Sequence, residues 1–137
     1  MGVATRDDDL RPEFARGWGP AVSADGRSLR LCVTAPEGSR MRANLEGNGA
    51  VAVGFSPPTI ARAVQVKGVV ARVGEPSSPD LERVERHVGS FVAEAERVGA
   101  PAELSRRMFV RPGLVAIELS IDEVFDQTPG PTAGRRL

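Results

Sequence analysis

Between Leu29 and Val73 the chain runs through short apolar segments of period two, each cut by Gly or Pro. Alternation places one set of side chains on each face of a strand, so this pattern restricts the segment to a small curled sheet or barrel. Leu29, Leu31 and Val33 alternate with Ser28, Arg30 and Cys32, which predicts a strand from Leu29 to Thr34 with one face inward. Pro36-Glu37-Gly38 turns the chain into Ser39 and Arg40, and a short helical turn ends near Leu45. A second strand spans Ala50–Phe55 after Asn48-Gly49. Ser56-Pro57-Pro58-Thr59 ends it, because proline has no N–H for a ladder. A longer strand follows from Ala63 to Val73, in which Gly68 marks a bulge or a close backbone approach.

Outside this region Val3–Thr5 reads as the end of a strand and Pro12–Trp18 as another. Asp25-Gly26, within Ser23–Arg27, is a hairpin signal because it supplies positive φ angles. From Ser78 the period lengthens. Leu81, Val84, Val88, Phe91, Val92, Ala95 and Val98 recur at helical steps, with Ser78 as N-cap, Pro79 in the first turn and Gly99 as C-cap. Pro101–Phe109 is a second, shorter helix, and Leu114–Ile121 is the last clear strand. The tail from Asp126, with its Gly/Pro-rich end at 128–137, is too polar and turn-rich for a packed strand. It is either flexible or crosses to a partner.

The expected product is one domain over residues 1–137: mainly β (α+β), about six strands curled into a barrel, with two covering helices. Its 18 basic and 18 acidic residues cancel, so no global field recruits nucleic acid or an acidic membrane. A single cysteine excludes a disulfide framework and fits a reducing, cytoplasmic setting. No segment is apolar enough to span a bilayer as a helix.

The order S-R-x-x-x-N-L, a Val/Ala strand and a V-x-V-x-G strand resembles the pyridoxamine 5'-phosphate oxidase-like family of FMN-binding split barrels. The likeness runs roughly from Ala4 to Phe125. It implies a homodimeric oxidoreductase with flavin at the interface, the Ser39–Arg40 turn gripping the phosphate and Arg42 or Arg62 adding charge. It implies further that Arg16 reaches the phosphate, that Trp18 walls the pocket, and that Thr34 and Ala35 offer backbone groups to the ring. Gln65 contacts the flavin edge, or else points outward. The chain departs from the family at Met41, where the oxidases have Lys, and at Ala63, where they have Gln. Family members also begin with a helix and a complete first strand. This chain starts almost at that strand's end, which leaves a short start or an open barrel edge that a dimer would bury.

From the residues alone, the Ser39 turn reads equally as a solvated turn whose arginines pair with Glu37 or Glu46. His87, the only histidine, sits on the helical stripe without metal-ligand partners at suitable spacing, and Cys32 has no neighbouring base. No catalytic acid or base stands out, so the chemistry falls to the cofactor. Three outcomes follow: an FMN enzyme of unknown substrate, a non-catalytic flavin, deazaflavin or haem binder, and a dimer whose cofactor site has decayed.

Overall fold

The structure is a computed structural model that describes residues 1–137. Seven strands and three helices follow in the order β1 (Gly2–Arg6), β2 (Pro12–Val22), β3 (Ser28–Thr34), α1 (Arg40–Glu46), β4 (Ala50–Phe55), β5 (Val64–Gly74), α2 (Ser78–Arg97), α3 (Ala102–Arg107), β6 (Leu114–Ser120) and β7 (Glu123–Asp126). Strands β4-β1-β2-β3-β6-β5 form an antiparallel sheet, and pairing of β4 with β5 closes it into a six-stranded barrel. β1 pairs with β2 on one side and β4 on the other, so the expected open edge at the start of the chain does not exist.

The split in the barrel comes from the length of β5. One edge of its first half pairs with β4, while the opposite edge carries β7 at Val64–Lys67 and β6 from Val70 onward. Strand β7 is an addition to the expected six. Its short run Glu123-Val124-Phe125-Asp126 has too little alternation to be read from sequence, and it forms because β5 offers a free edge. The tail folds back on β7 instead of remaining loose. Asp126 N–H donates to the Arg135 carbonyl, Leu137 N–H to Val124, and Phe125 bridges to Arg136.

Two apolar cores lie on either side of the barrel wall. Inside are Val3, Leu29, Leu31, Val33, Val51, Val53, Val66, Val115, Ile117 and Leu119. α1 plugs one end of the barrel with Met41 and Leu45, and its Asn44 donates to Thr5 Oγ1 at 3.1 Å. Met41 is therefore a core residue, which gives a packing reason for its departure from the family's lysine. The second core lies between the outer barrel wall and α2, where Trp18, Cys32, Leu114 and Ala116 meet Val84, Val88 and Val92. α2 is capped by Ser77, not Ser78: Ser77 and Asp80 form a reciprocal capping box.

β2 continues past Trp18 to Val22 through a bulge between Trp18 and Ala21. Gly19 sits there with φ of +62°, and a Cβ on it would lie 2.8 Å from the Val84 nitrogen. Backbone conformation and the close approach of α2 both demand glycine at this point.

Two clefts and the candidate cofactor site

The residues singled out by sequence separate into two places. At the β3–α1 junction, Ser39 is the N-cap of α1 and its Oγ accepts from Arg42 N–H at 3.1 Å. A cleft of about 650 Å³ opens beside it, lined by Ala35, Ser39 and Arg42 together with Glu37, Glu46 and Glu75. Arg42 pairs with Glu46 one turn along α1. Arg40 points elsewhere, pairs with Glu13 of β2 and is largely exposed. The turn thus holds cations as the family pattern implies, each with a carboxylate partner as the solvated-turn reading has it.

Thr34 Oγ1 donates to the Val110 carbonyl at 3.2 Å. Ala35 N–H donates to Gly113 at 2.8 Å, so this N–H is not free for a flavin ring. Trp18 is not an exposed pocket wall. It is 2% exposed, with His87, Phe91 and Phe109 edge-on around it at 5.5 to 5.8 Å between ring centroids, and its Nε1 is buried without a partner. The bulge at Gly19 lets α2 close over the indole, a tertiary effect with no signature in the strand itself. Arg62 lies in the exposed turn before β5, forms no ion pair and lines neither cleft.

The second place is the outer face of the β2–β1–β4–β5 sheet. Arg16 pairs across to Gly2, Gly2 to Gly54, Gly54 to Gln65 and Gln65 to Phe125, so one lateral row carries two glycines between Arg16 and Gln65. Three strand spacings, roughly 14 Å, separate the two side chains. Gln65 shares its outward face with Lys67, whose ammonium lies 4.8 Å from the Phe125 ring centroid. Where this face meets α2, a cavity of about 320 Å³ is lined by Met1, Gly2, Arg16, Gly54, Phe55 and Ser56–Pro58 on the barrel side, and by His87, Ser90, Phe91 and Glu94 on the helix side.

Sequence reasoning gave His87 no role, and only the fold shows its surroundings. The bulge frees Gly19 N–H from the ladder, and it donates to His87 Nδ1 at 3.1 Å. Burial, reinforced by the nearby N-terminal ammonium, holds the imidazole below its usual pKa. The same N-terminal amine is lowered by its own burial and by Arg16. The Cys32 thiol is pushed up to about 11 by burial, which leaves it inert. No group of His, Cys, Asp and Glu is placed to hold a metal ion, and no helix is long and apolar enough to cross a membrane.

No protein-family profile and no curated protein matches the chain. Solved structures do. HupZ from Group A Streptococcus is 15% identical with a TM-score of 0.53, the match covering 97% of this chain and 88% of that one. An F420 reductase is 20% identical, TM-score 0.51, over 90% and 86% of the two chains. A Lactobacillus delbrueckii protein named for pyridoxamine 5'-phosphate oxidase is 21% identical, TM-score 0.50, over 90% and 81%. The chain has the split-barrel fold of the pyridoxamine 5'-phosphate oxidase-like proteins. At these identities the split barrel is what is shared; cofactor and chemistry belong to each protein's own residues.

Proposed function

We propose that this split barrel is a flavin-class oxidoreductase, holding FMN or a deazaflavin with its phosphate at the Ser39 cleft and acting as a cytoplasmic homodimer. One observation carries the reading: Ala35, Ser39 and Arg42 meet on a single cleft large enough to admit a phosphorylated cofactor. The donor chemistry fits. A hydroxyl and a guanidinium recognise phosphate oxygens through charge-assisted hydrogen bonds. The Arg42–Glu46 pair is an i,i+4 contact with Glu46 half exposed, worth roughly 0.3–0.5 kcal/mol. A phosphate dianion displaces so weak a partner, and exposed Arg40 can turn from Glu13 to join it. Bound flavin supplies hydride or electron transfer; the chain binds and orients it and excludes water. For the dimer, Ala4 and Ala52 lie between the exposed Phe14 and Lys67 on the outer face, with Ala50 beside Val69, a small-residue surface that a second sheet can approach closely.

Glu37, Glu46 and Glu75 favour a second reading, in which the barrel keeps its fold and has lost the cofactor, because three carboxylates on the cleft oppose a phosphate. Absorbance of the purified protein, before and after loading with FMN or a deazaflavin and desalting, separates the two. The flavin reading expects retained bands, and a loss of affinity of tenfold or more in the Ser39→Ala/Arg42→Ala double variant, about two charge-assisted contacts. A colourless protein that retains neither cofactor supports the second reading.

A further inference from the structure

The cavity between α2 and the outer barrel face shares no lining residue with the Ser39 cleft and has its own chemistry. Arg16 is its side-chain cation, with the N-terminal ammonium of Met1 beside it. Unlike Arg40 and Arg42, it forms no ion pair and no side-chain hydrogen bond, so its guanidinium fork is free within the cavity. His87 stands opposite on α2. Its Nδ1 accepts from Gly19 N–H, so the neutral ring carries its proton on Nε2, which has no partner in the protein. The Gly19 contact selects this tautomer and makes His87 a fixed neutral donor. Protonation of Nδ1 would set two hydrogens against each other.

The remaining walls limit what those donors can hold. Phe55, Phe91, Pro57 and Pro58 are apolar, Gly54 leaves its part of the floor open, and the Phe14 ring lies over Gly2. Glu94 is the only carboxylate at the cavity. Thr59 Oγ1 and Arg97 both donate to it. Two cations, Arg16 and the N-terminal ammonium, stand against the one carboxylate of Glu94, with His87 as a neutral donor, a balance that suits a single negative charge on the ligand.

We propose that this cavity binds a small organic monocarboxylate with an aromatic or branched apolar body, the carboxylate held by Arg16 and His87 and the body packed on Phe91, Phe55 and Pro57. The site stands on its own residues and does not depend on flavin binding at the Ser39 cleft. Its size suits a ligand of one ring and a short side chain.

The test uses the whole chain, isotope-labelled and free of added cofactor, titrated with benzoate and phenylacetate and followed by amide and indole NMR shifts. Benzyl alcohol and inorganic phosphate are the comparators. Saturable shifts confined to Gly54–Ser56, His87–Phe91 and the Trp18 indole are expected for the carboxylates, with dissociation constants on the order of 1 mM or tighter. Arg16→Gln weakens binding about tenfold or more, since it removes a charge-assisted bidentate contact, and His87→Phe weakens it by a smaller factor. If Arg16→Gln perturbs the whole spectrum, Arg16→Lys, which keeps the charge and loses the fork, carries the same comparison. Shifts that do not saturate, benzyl alcohol or phosphate binding as well as benzoate, or unchanged affinity in the Arg16 variant would each overturn the proposal. Benzoate binding that persists when FMN is added, in a protein that retains FMN, places the two ligands at separate sites. Benzoate binding in a protein that retains no flavin sinks the flavin reading alone.

Discussion

Gly68 is where β5 passes over the end of β6. A Cβ there would lie 1.8 Å from the Ser120 carbonyl oxygen, which is backbone and has no rotamer to yield. Gly68→Ala therefore forces the strands apart where they begin to pair. The expected cost is roughly 3 kcal/mol, on the order of 10 °C in Tm, measured by calorimetry or thermal circular dichroism. Gly74→Ala, six residues along the same strand, meets nothing within 4 Å and is expected to be neutral or slightly stabilising. Equal effects from both would mean that glycine flexibility, and not the Ser120 contact, sets the requirement. The sequence marked Gly68 as a bulge or close approach without saying what approaches. The meaning of His87, Trp18 and Met41 was hidden for a related reason: each is defined by a neighbour 36 to 69 positions away.

At the scale of elements, α2 is held to the barrel by a buried carboxylate. Asp80 is 1% exposed and accepts from Arg30 of β3 at 2.6 and 2.8 Å, from Arg83 one turn along, and from Ser77 in the capping box. Asp80→Asn leaves two arginines without their shared partner and is expected to cost about 3 kcal/mol, the usual penalty for breaking a buried pair. Hydrogen bonds from Arg30, then from Ser77, hold the Asp80 carboxyl far below the usual carboxylate range. A depressed folded pKa contributes stability that is fully present above the unfolded value of about 4 and is lost as pH falls below it. Urea unfolding from pH 7 down to about 3 should show that loss in the parent and a flatter profile in Asp80→Asn. Identical slopes would show that Asp80 is not the titrating group. The helix itself was legible, because its apolar residues keep a strict period. Its anchor was not, since the Arg30–Asp80 pair spans 50 positions between a strand and a helix.

For the whole molecule, the proposed dimer makes a distinct demand on the outer face. Phe14 is 68% exposed on β2 beside the alanine strip of β1 and β4. If two copies meet there, Phe14→Glu buries a charge at the contact and should shift the protein to monomer in light scattering, with its Tm reduced only by what the dimer adds. A dimer that survives the substitution must use another face. The two clefts also belong to this scale, because no single element makes either. One needs the ends of β3 and β5 with α1 and β6, and the other needs three strands, the loop after β4 and α2.

By itself the sequence determined the local units: strand periodicity over Ser28–Thr34 and Ala50–Phe55, the Asp25-Gly26 hairpin and the amphipathic α2, all within one element's reach. From these followed a mainly β barrel with covering helices, and the resemblance that named its split form. Only the tertiary structure decided that β7 adds to β5, that Trp18 lies in the core, and that the Ser39 cations have carboxylate partners. It also decided that Arg16 and His87 face one cavity. The physical reason is the same throughout. Periodicity records which face of a segment is buried, whereas pairing register and helix packing depend on residues far apart in the chain.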